Sequence, residues 1–185
     1  EVTSWIRANK KDFQLVRDMG MRETGILVSC SDYHIFYKMK MTRKQAMEHY
    51  LSIVKECLEI GVSVRCHLED ITRADIYGYV IPFCLELMKL RQQYGIPVKV
   101  RCCDTMGYGV NYPGAVIPRS VPGIIYGIMV HACCKLLVIV FSLASSDDLT
   151  DSWYEAIDCC HGLSIWVLFH VECFDIFGDR KSGSA

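Results

Sequence analysis

The stretch Val62–Tyr79, VSVRCHLEDITRADIYGY, changes character twice. Val62 to Leu68 has the β-branched and apolar content of a strand. A short loop dense in charge follows, carrying Glu69, Asp70, Arg73 and Asp75. From Ile76 the apolar residues return at helical spacing as far as Tyr94, and Gly95 is placed to end the helix. Strand, polar loop and helix in that order make one βα unit. Residues two apart on an extended strand share a face, so His67 and Glu69 project to the same side just before the loop.

The same unit repeats on both sides of this stretch. Upstream, Gly25 to Ser29 reads as a strand, and Thr42 is placed to cap a helix whose Met47, Tyr50, Leu51, Val54 and Leu58 form one stripe ended by Gly61. Earlier still, Val2 to Ile6 is a strand, followed by a helix from Lys10 to Met19 with Phe13, Val16 and Met19 on one face and Gly20 as its stop. Downstream, Val98 to Cys103 is a fourth strand, and the segment after Pro118 supplies a fourth helix. Apolar strands alternating with helices predict a parallel sheet covered on both faces. Four such units fit half of a (β/α)8 barrel or a doubly wound sheet, and periodicity does not choose between the two.

The bulk properties narrow the classes. An eight-unit barrel usually needs about 250 residues, so a chain of 185 residues holds only part of one. With 51% apolar residues, 22% charged residues and a net charge of -1, nothing pulls the chain onto nucleic acid or anionic lipid. The eleven cysteines are scattered singles and adjacent pairs without C-x-x-C spacing, which points to a reducing cytoplasm rather than a disulfide scaffold. Glu1 to Arg7 has no leader character, and Leu136 to Ala144 is too short for a span of about 20 residues. The first residue is not Met, which suggests a fragment.

In parallel α/β folds, functional groups gather where strands end and the following loops open outward. Here the second strand runs into Ser29, Ser31, Asp32 and His34, the third into His67, Glu69, Asp70, Thr72 and Arg73, and the fourth into Asp104, Thr105 and Gly107. A histidine and a carboxylate facing one side can share a proton or a substrate. Glu69, Asp70, Arg73 and Asp75 read equally as a solvated cluster capping the next helix, His34 as a structural histidine, and Asp104-Thr105 as a turn with a cap. The spacing G-Y-G-V is no phosphate loop. His49, His131, His161 and His170 are isolated and read as structural or solvent-facing, and Tyr108, Tyr112 and the methionines read as core or rim.

Four stretches together resemble one family: VTSWIRANKKDF, GILVSCSDYHIFYKMKMTRKQAMEHY, RCHLEDITRADIYGY and CDTMGYGVNYPGAVIPRSVPGIIY. The S-D-x-H, E-D-x-x-R and D-T-x-G-Y pieces occur in that order, as in the 2-isopropylmalate, homocitrate and Re-citrate synthases, metal-dependent TIM-barrel enzymes that condense acetyl-CoA with a 2-oxoacid. The resemblance covers about residues 1–132 and implies barrel strands three to six. His67 ahead of Glu69 leans towards the Re-citrate or homocitrate-like members. The resemblance implies Glu69 and His67 as catalytic candidates, with His67 lining the pocket that sorts substrates. It implies His34, Thr105, Arg73 and Asp104 on the substrate side, with Arg73 holding Glu69 or Asp70 in place. It also implies acetyl-CoA and a 2-oxoacid as ligands, a homodimeric parent, and a divalent Mg, Mn or Zn ion acting as Lewis acid.

Two departures weigh against activity of this chain alone. The family's Asp-Arg pair on the first strand and its H-x-H-N-D motif on the seventh, which hold the metal, have no counterpart here. Beyond Ala132 the βα punctuation is lost, which divides the chain into a partial barrel at 1–132 and a divergent tail at 133–185. Back-translating Cys160 to Gly178 and reading one nucleotide later permits T-A-x-L-Y-G, and Phe177 to Arg180 permits L-G-I-G, so the tail reads as a frameshifted translation, with a genuine divergent C-terminal segment as the alternative. The alternatives are a non-catalytic half barrel with exposed strand edges and a C–C bond lyase or aldolase of the same superfamily.

Overall fold

Each strand pairs with the one before it in the chain. The computed structural model describes residues 3–112, 114–132, 137–141 and 154–155. Its sheet runs in the order β1 (Ser4–Arg7), β2 (Glu23–Ser29), β3 (Ser63–Glu69), β4 (Val98–Cys103), β5 (Leu137–Phe141) and β6 (Tyr154–Glu155). The first five are parallel, and only β6 is antiparallel to its neighbour. Helices α1 (Lys10–Asp18), α2 (Arg43–Glu59), α3 (Ile81–Tyr94) and α4 (Val121–His131) make the four parallel crossovers. A doubly wound sheet reverses direction and places strands on both sides of the first. This one never reverses, which is how a barrel wall is wound.

The register separates the two faces. Thr24, Val64 and Val98 lie side by side, as do Ile26, Cys66 and Val100, and Val28, Leu68 and Cys102. All nine are buried, and the helices pack over them with Val16, Tyr50, Val54, Phe83, Leu87 and Ile128. Gly25, Arg65 and Lys99, then Leu27, His67 and Arg101, then Ser29, Glu69 and Cys103 fill the opposite face. The expectation of strands covered on both faces is therefore corrected. Helices lie on one side only, and the concave side is polar.

Local chemistry sets the element ends. The Thr42 hydroxyl accepts from Gln45 N–H at 3.2 Å while Gln45 Oε1 accepts from Thr42 N–H at 2.9 Å, closing a capping box on α2. Asn9 caps α1 through a 2.8 Å bond from Asp12 N–H. Gly95 follows α3 with φ +66°, a conformation that costs a residue with a Cβ about 1 kcal/mol or more. Met19 is 68% exposed, so it ends α1 without joining the core stripe.

The single helix expected from Ile76 to Tyr94 is two pieces. Ile76–Val80 forms a wider π-helical turn, and the α-helix begins at Ile81 with Pro82 in its first turn. Pro82 has no N–H to give to a carbonyl four residues earlier, so the regular ladder cannot run through it. Of the tail at 133–185, Leu137–Phe141 pairs with β4 and Tyr154–Glu155 pairs with β5. His161, His170 and the segments on which the frameshift reading rests lie outside the described residues. Among the described residues no helix is long and apolar enough to cross a membrane.

Candidate active site

The parallel register brings the ends of β2 and β3 level, pairing Ser29 with Glu69. Ser29 Oγ donates to Glu69 Oε2 at 2.6 Å, a length typical of an O–H bonded to a carboxylate. The chain leaves β2 through Ser31, which bridges to Ala74 beyond β3 and so ties the two loops together. A π-helical turn, Tyr33–Lys38, then carries His34 and Lys38 back over the strand ends. Lys38 Nζ lies 3.2 Å from Glu69 Oε2 and 3.4 Å from Oε1. His34 Nδ1 is 3.4 Å from Glu69 Oε2 but makes no hydrogen bond, and its Nε2 is 4.0 Å from Asp70 Oδ2. One carboxylate is thus met by a hydroxyl, an ammonium and an imidazole.

Asp70 is fully buried and adopts a left-handed conformation with φ +64°. Its N–H donates to Thr105 Oγ1 at 2.8 Å, so the strain is matched by a bond to the end of β4. Arg73 brackets its carboxylate, with Nε at 2.8 and 2.9 Å and Nη2 at 2.6 Å. Burial raises the Asp70 pKa, but hydrogen bonds from Arg73 and Ser31, with the Arg73 and His34 charges, outweigh it and hold the group below its ordinary value. Asp70 is therefore an anion near neutrality, and Arg73 serves Asp70 rather than Glu69.

Asp104 is buried, and its oxygens are taken up within its own surroundings. Oδ1 accepts from Thr72 Oγ1 at 2.7 Å and Tyr108 N–H at 3.0 Å, and Oδ2 accepts from Gly109 N–H at 2.7 Å. A Cβ at Gly109 would come within 2.8 Å of Oδ2, so only glycine lets the loop close this tightly. These bonds give Asp104 the work of shaping the loop that presents Thr105.

His67 sits one layer below Glu69 on the concave face and is 6% exposed. Its Nε2 accepts from Arg65 Nε at 3.0 Å. Desolvation, and after it the charges of Arg101 and Arg65, push its pKa down to about 3, so the ring is neutral near pH 7. The isolated His49 and His131 each meet a backbone carbonyl, that of Ala8 at 2.9 Å and of Gly127 at 2.8 Å.

Sequence reasoning did not single out Lys38 or Arg65 at the site. Lys38 had a weak signal, four residues after His34 on one turn. Arg65 had a stronger one, because it precedes His67 by two and must share its face. Among the described residues no group of three His, Cys, Asp or Glu side chains is placed to hold a metal ion. The described part therefore does not fit the metal that the resemblance implies.

The fold and the strand-end cluster define a segment of a (β/α)8 barrel whose polar mouth is built from consecutive strands. The chain belongs to the HMGL-like family, whose sequence model matches residues 1–117. It is similar to the citrate (Re)-synthase of Clostridium kluyveri, 62% identical over 128 residues covering 69% of this chain and 28% of that protein. The citrate (Re)-synthase of Syntrophus aciditrophicus is 63% identical over 121 residues, 65% of this chain and 19% of that protein. The 2-phosphinomethylmalate synthase of Streptomyces hygroscopicus is 40% identical over 125 residues, 66% of this chain and 28% of that protein. The chain thus spans 19–28% of the length of these relatives. In fold it is similar to the HMG-CoA lyase of Brucella melitensis, with TM-score 0.52, 15% identity, and 75% of this chain and 46% of that one covered. The HMG-CoA lyase of Bacillus subtilis gives TM-score 0.51, 13% identity, and 75% and 44% coverage.

Proposed function

We propose that this chain is a segment of an acyltransferase that joins acetyl-CoA to a 2-oxoacid, with oxaloacetate as the acceptor that yields citrate. The convergence of Ser29, His34 and Lys38 on the Glu69 carboxylate carries this reading. The high identity to two citrate (Re)-synthases supports the choice of acceptor.

In such a reaction a proton leaves the acetyl methyl, and the resulting carbon attacks the ketone carbon. The ketone oxygen takes a proton to become the hydroxyl. Water then adds to the thioester, the C–S bond breaks, and CoA leaves as a thiol. A base must stand within hydrogen-bond reach of the proton it moves, with a partner that holds it there. Glu69 has Ser29 and Lys38 to orient it, and the unbonded His34 Nδ1 beside it can pass the proton on. Thr105 and His34 face the 2-oxoacid, Arg73 acts through Asp70, and Asp104 acts through the shape of its loop. A divalent metal in the parent would draw its ligands from other strands and would supply Lewis-acid polarisation of the ketone. The parent works as a cytoplasmic homodimer, with neither nucleic acid nor membrane as a partner.

The test compares these 185 residues with the full-length parent, each given Mg²⁺ or Mn²⁺, acetyl-CoA and either oxaloacetate or 2-oxoglutarate. Free thiol is the readout. The parent is expected to release CoA with oxaloacetate, and the chain alone to release none, because it spans so little of its relatives. Glu69→Gln in the parent lowers kcat by about 10²–10⁴-fold. A parent that cleaves a carbon–carbon bond and never consumes acetyl-CoA would replace condensation with the lyase reading.

A further inference from the structure

The end of β2 carries a backbone donor that the sheet does not use. Along an extended strand, successive N–H groups point to opposite neighbours. Cys30 N–H goes to Glu69 O at 3.2 Å, towards β3, so Ser29 N–H points towards β1. There β1 has already ended, with Arg7 level with Leu27. Ser29 is 4% exposed, and a buried N–H without a partner is costly. The partner comes from the helix layer, where Tyr50 Oη accepts it at 3.0 Å.

Tyr50 is held at both ends. It lies on α2, 3% exposed, with its ring edge-on to Phe83 at 6.3 Å. A hydroxyl has one proton and two lone pairs. The Tyr50 proton goes to Met39 Sδ at 3.1 Å, which leaves the lone pairs for Ser29 N–H. Burial pushes the phenol pKa up, so that proton stays in place. Met39 closes the π-helical turn that carries His34 and Lys38, its N–H donating to His34 O at 2.9 Å. The Ser29 hydroxyl and the turn bearing Lys38 both meet the Glu69 carboxylate, and both are tied to this one phenol.

Tyr79 supplies the contrast. Its ring stacks on the other side of the cluster against Phe83, at 6.4 Å, and it is 1% exposed. Its hydroxyl has no hydrogen-bond partner among the described residues.

We propose that Tyr50 is a positioning residue for the Glu69 carboxylate, fixing the height of Ser29 at the end of β2 and so the 2.6 Å contact of Ser29 Oγ with Glu69 Oε2. The catalytic consequence rests on the condensing-enzyme reading, whereas the link from Tyr50 to Ser29 does not. A misplacement of about 1 Å in a catalytic group can lower turnover about 10²-fold. An anchor that never touches substrate acts on kcat and leaves KM nearly alone.

The experiment uses the full-length parent. Tyr50→Phe removes only the hydroxyl and is expected to lower kcat for CoA release about tenfold to hundredfold, with KM for acetyl-CoA and oxaloacetate within about twofold. Amide hydrogen exchange at Ser29 should quicken by about tenfold or more. Tyr79→Phe removes an equally buried hydroxyl without a partner and leaves both readouts as in the unmutated protein. In a Ser29→Ala background, Tyr50→Phe should lower kcat by less than about threefold, because the contact it supports is already gone. Should Tyr50→Phe fail to fold, Met39→Leu keeps the shape and removes the acceptor that aims the hydroxyl, and it should lower kcat about threefold to tenfold with KM unchanged. Losses that multiply independently, a loss carried by KM, or an equal loss from Tyr79→Phe overturn the positioning role. An unchanged Ser29 exchange rate in folded Tyr50→Phe overturns the link itself. A parent that releases no CoA sinks the condensing reading and the catalytic consequence with it, while Ser29 exchange still decides the link.

Discussion

On one side of β3 and β4 stand Val64, Cys66, Leu68, Val98, Val100 and Cys102, and on the other Arg65, His67, Glu69, Lys99, Arg101 and Cys103. The two sets alternate along the same strands, yet the first is 0–4% exposed and purely a packing surface. The second pairs charges across strands, with Glu23 meeting both Arg65 and Lys99, Arg65 meeting the His67 ring, and Glu69 meeting Ser29 and Lys38. Burial against helices rewards apolar area, at about 25 cal/mol per Å². A concave face that must hold polar ligands instead needs each donor and acceptor matched, because an unmatched one costs about 1–3 kcal/mol. Stability and chemistry are thus kept on opposite sides of one sheet.

Changes on each face test that division. Leu68→Ala, on the helix side, is expected to cost about 2–5 kcal/mol in urea unfolding, with the Ser29–Glu69 contact intact on the other side. A loss below about 1 kcal/mol would show that the helix face is not the stabilising one. Gly25→Ala, on the concave side, places a Cβ 2.8 Å from His67 Nε2 and 2.9 Å from Trp5 Cδ1. It should cost about 1–3 kcal/mol by the same measurement and also displace the His67 ring signals in NMR. Stability without ring displacement would break the account of the concave face.

Acid should find the concave face before the helix face. His67 has its pKa lowered to about 3 from an ordinary 6.5, so between those values the unfolded chain binds a proton that the folded chain refuses. Stability therefore rises with pH across that window and is lost as pH falls, at about 1.4 kcal/mol per pH unit from this group alone. Asp70, also lowered, adds its loss only below the ordinary carboxylate value of 3.8. The slope is read from urea midpoints at several pH values, and His67→Gln should flatten it above about pH 4.

The smallest effect is expected at the mouth. Arg43 grips Asp32 through Nε and Nη2, each at 2.7 Å, and Asp75 through Nη1 at 2.8 Å, joining the loops after β2 and β3. All three side chains are 34–43% exposed, so solvent screens the pairs. Arg43→Met should cost only about 0.5–1 kcal/mol. Its larger consequence is a looser approach of His34 to Glu69, visible as faster amide exchange at residues 31–34 and 70–75.

Much of this was written locally. The Thr42 cap, the stop at Gly95 and the bounds of β4 follow from residue types and spacing, and the reading of His67 and Glu69 as sharing a face follows from the pleat alone. The split of the third helix does not show in the apolar spacing, which runs unbroken from Ile76 to Tyr94, and its signal is the missing N–H of Pro82. At the site, His34, Glu69, Asp70 and Thr105 were named from their places at strand ends. Nothing in the sequence said that Thr105 would take the Asp70 N–H, or that Asp104 would accept from the Thr72 hydroxyl of the neighbouring loop as well as from two N–H groups of its own.

The sequence by itself determined which side chains face helices and which face the concave side, because that alternation is fixed by backbone geometry between residues two apart. Only the tertiary structure decided that the sheet winds in one direction and that Lys38 lands on Glu69. It also decided that His67 bonds to Arg65 while Arg101 lies beside it in register. Those outcomes depend on which strands become neighbours and how loops distant in the chain are brought level. Long-range packing settles that, and no local pattern encodes it.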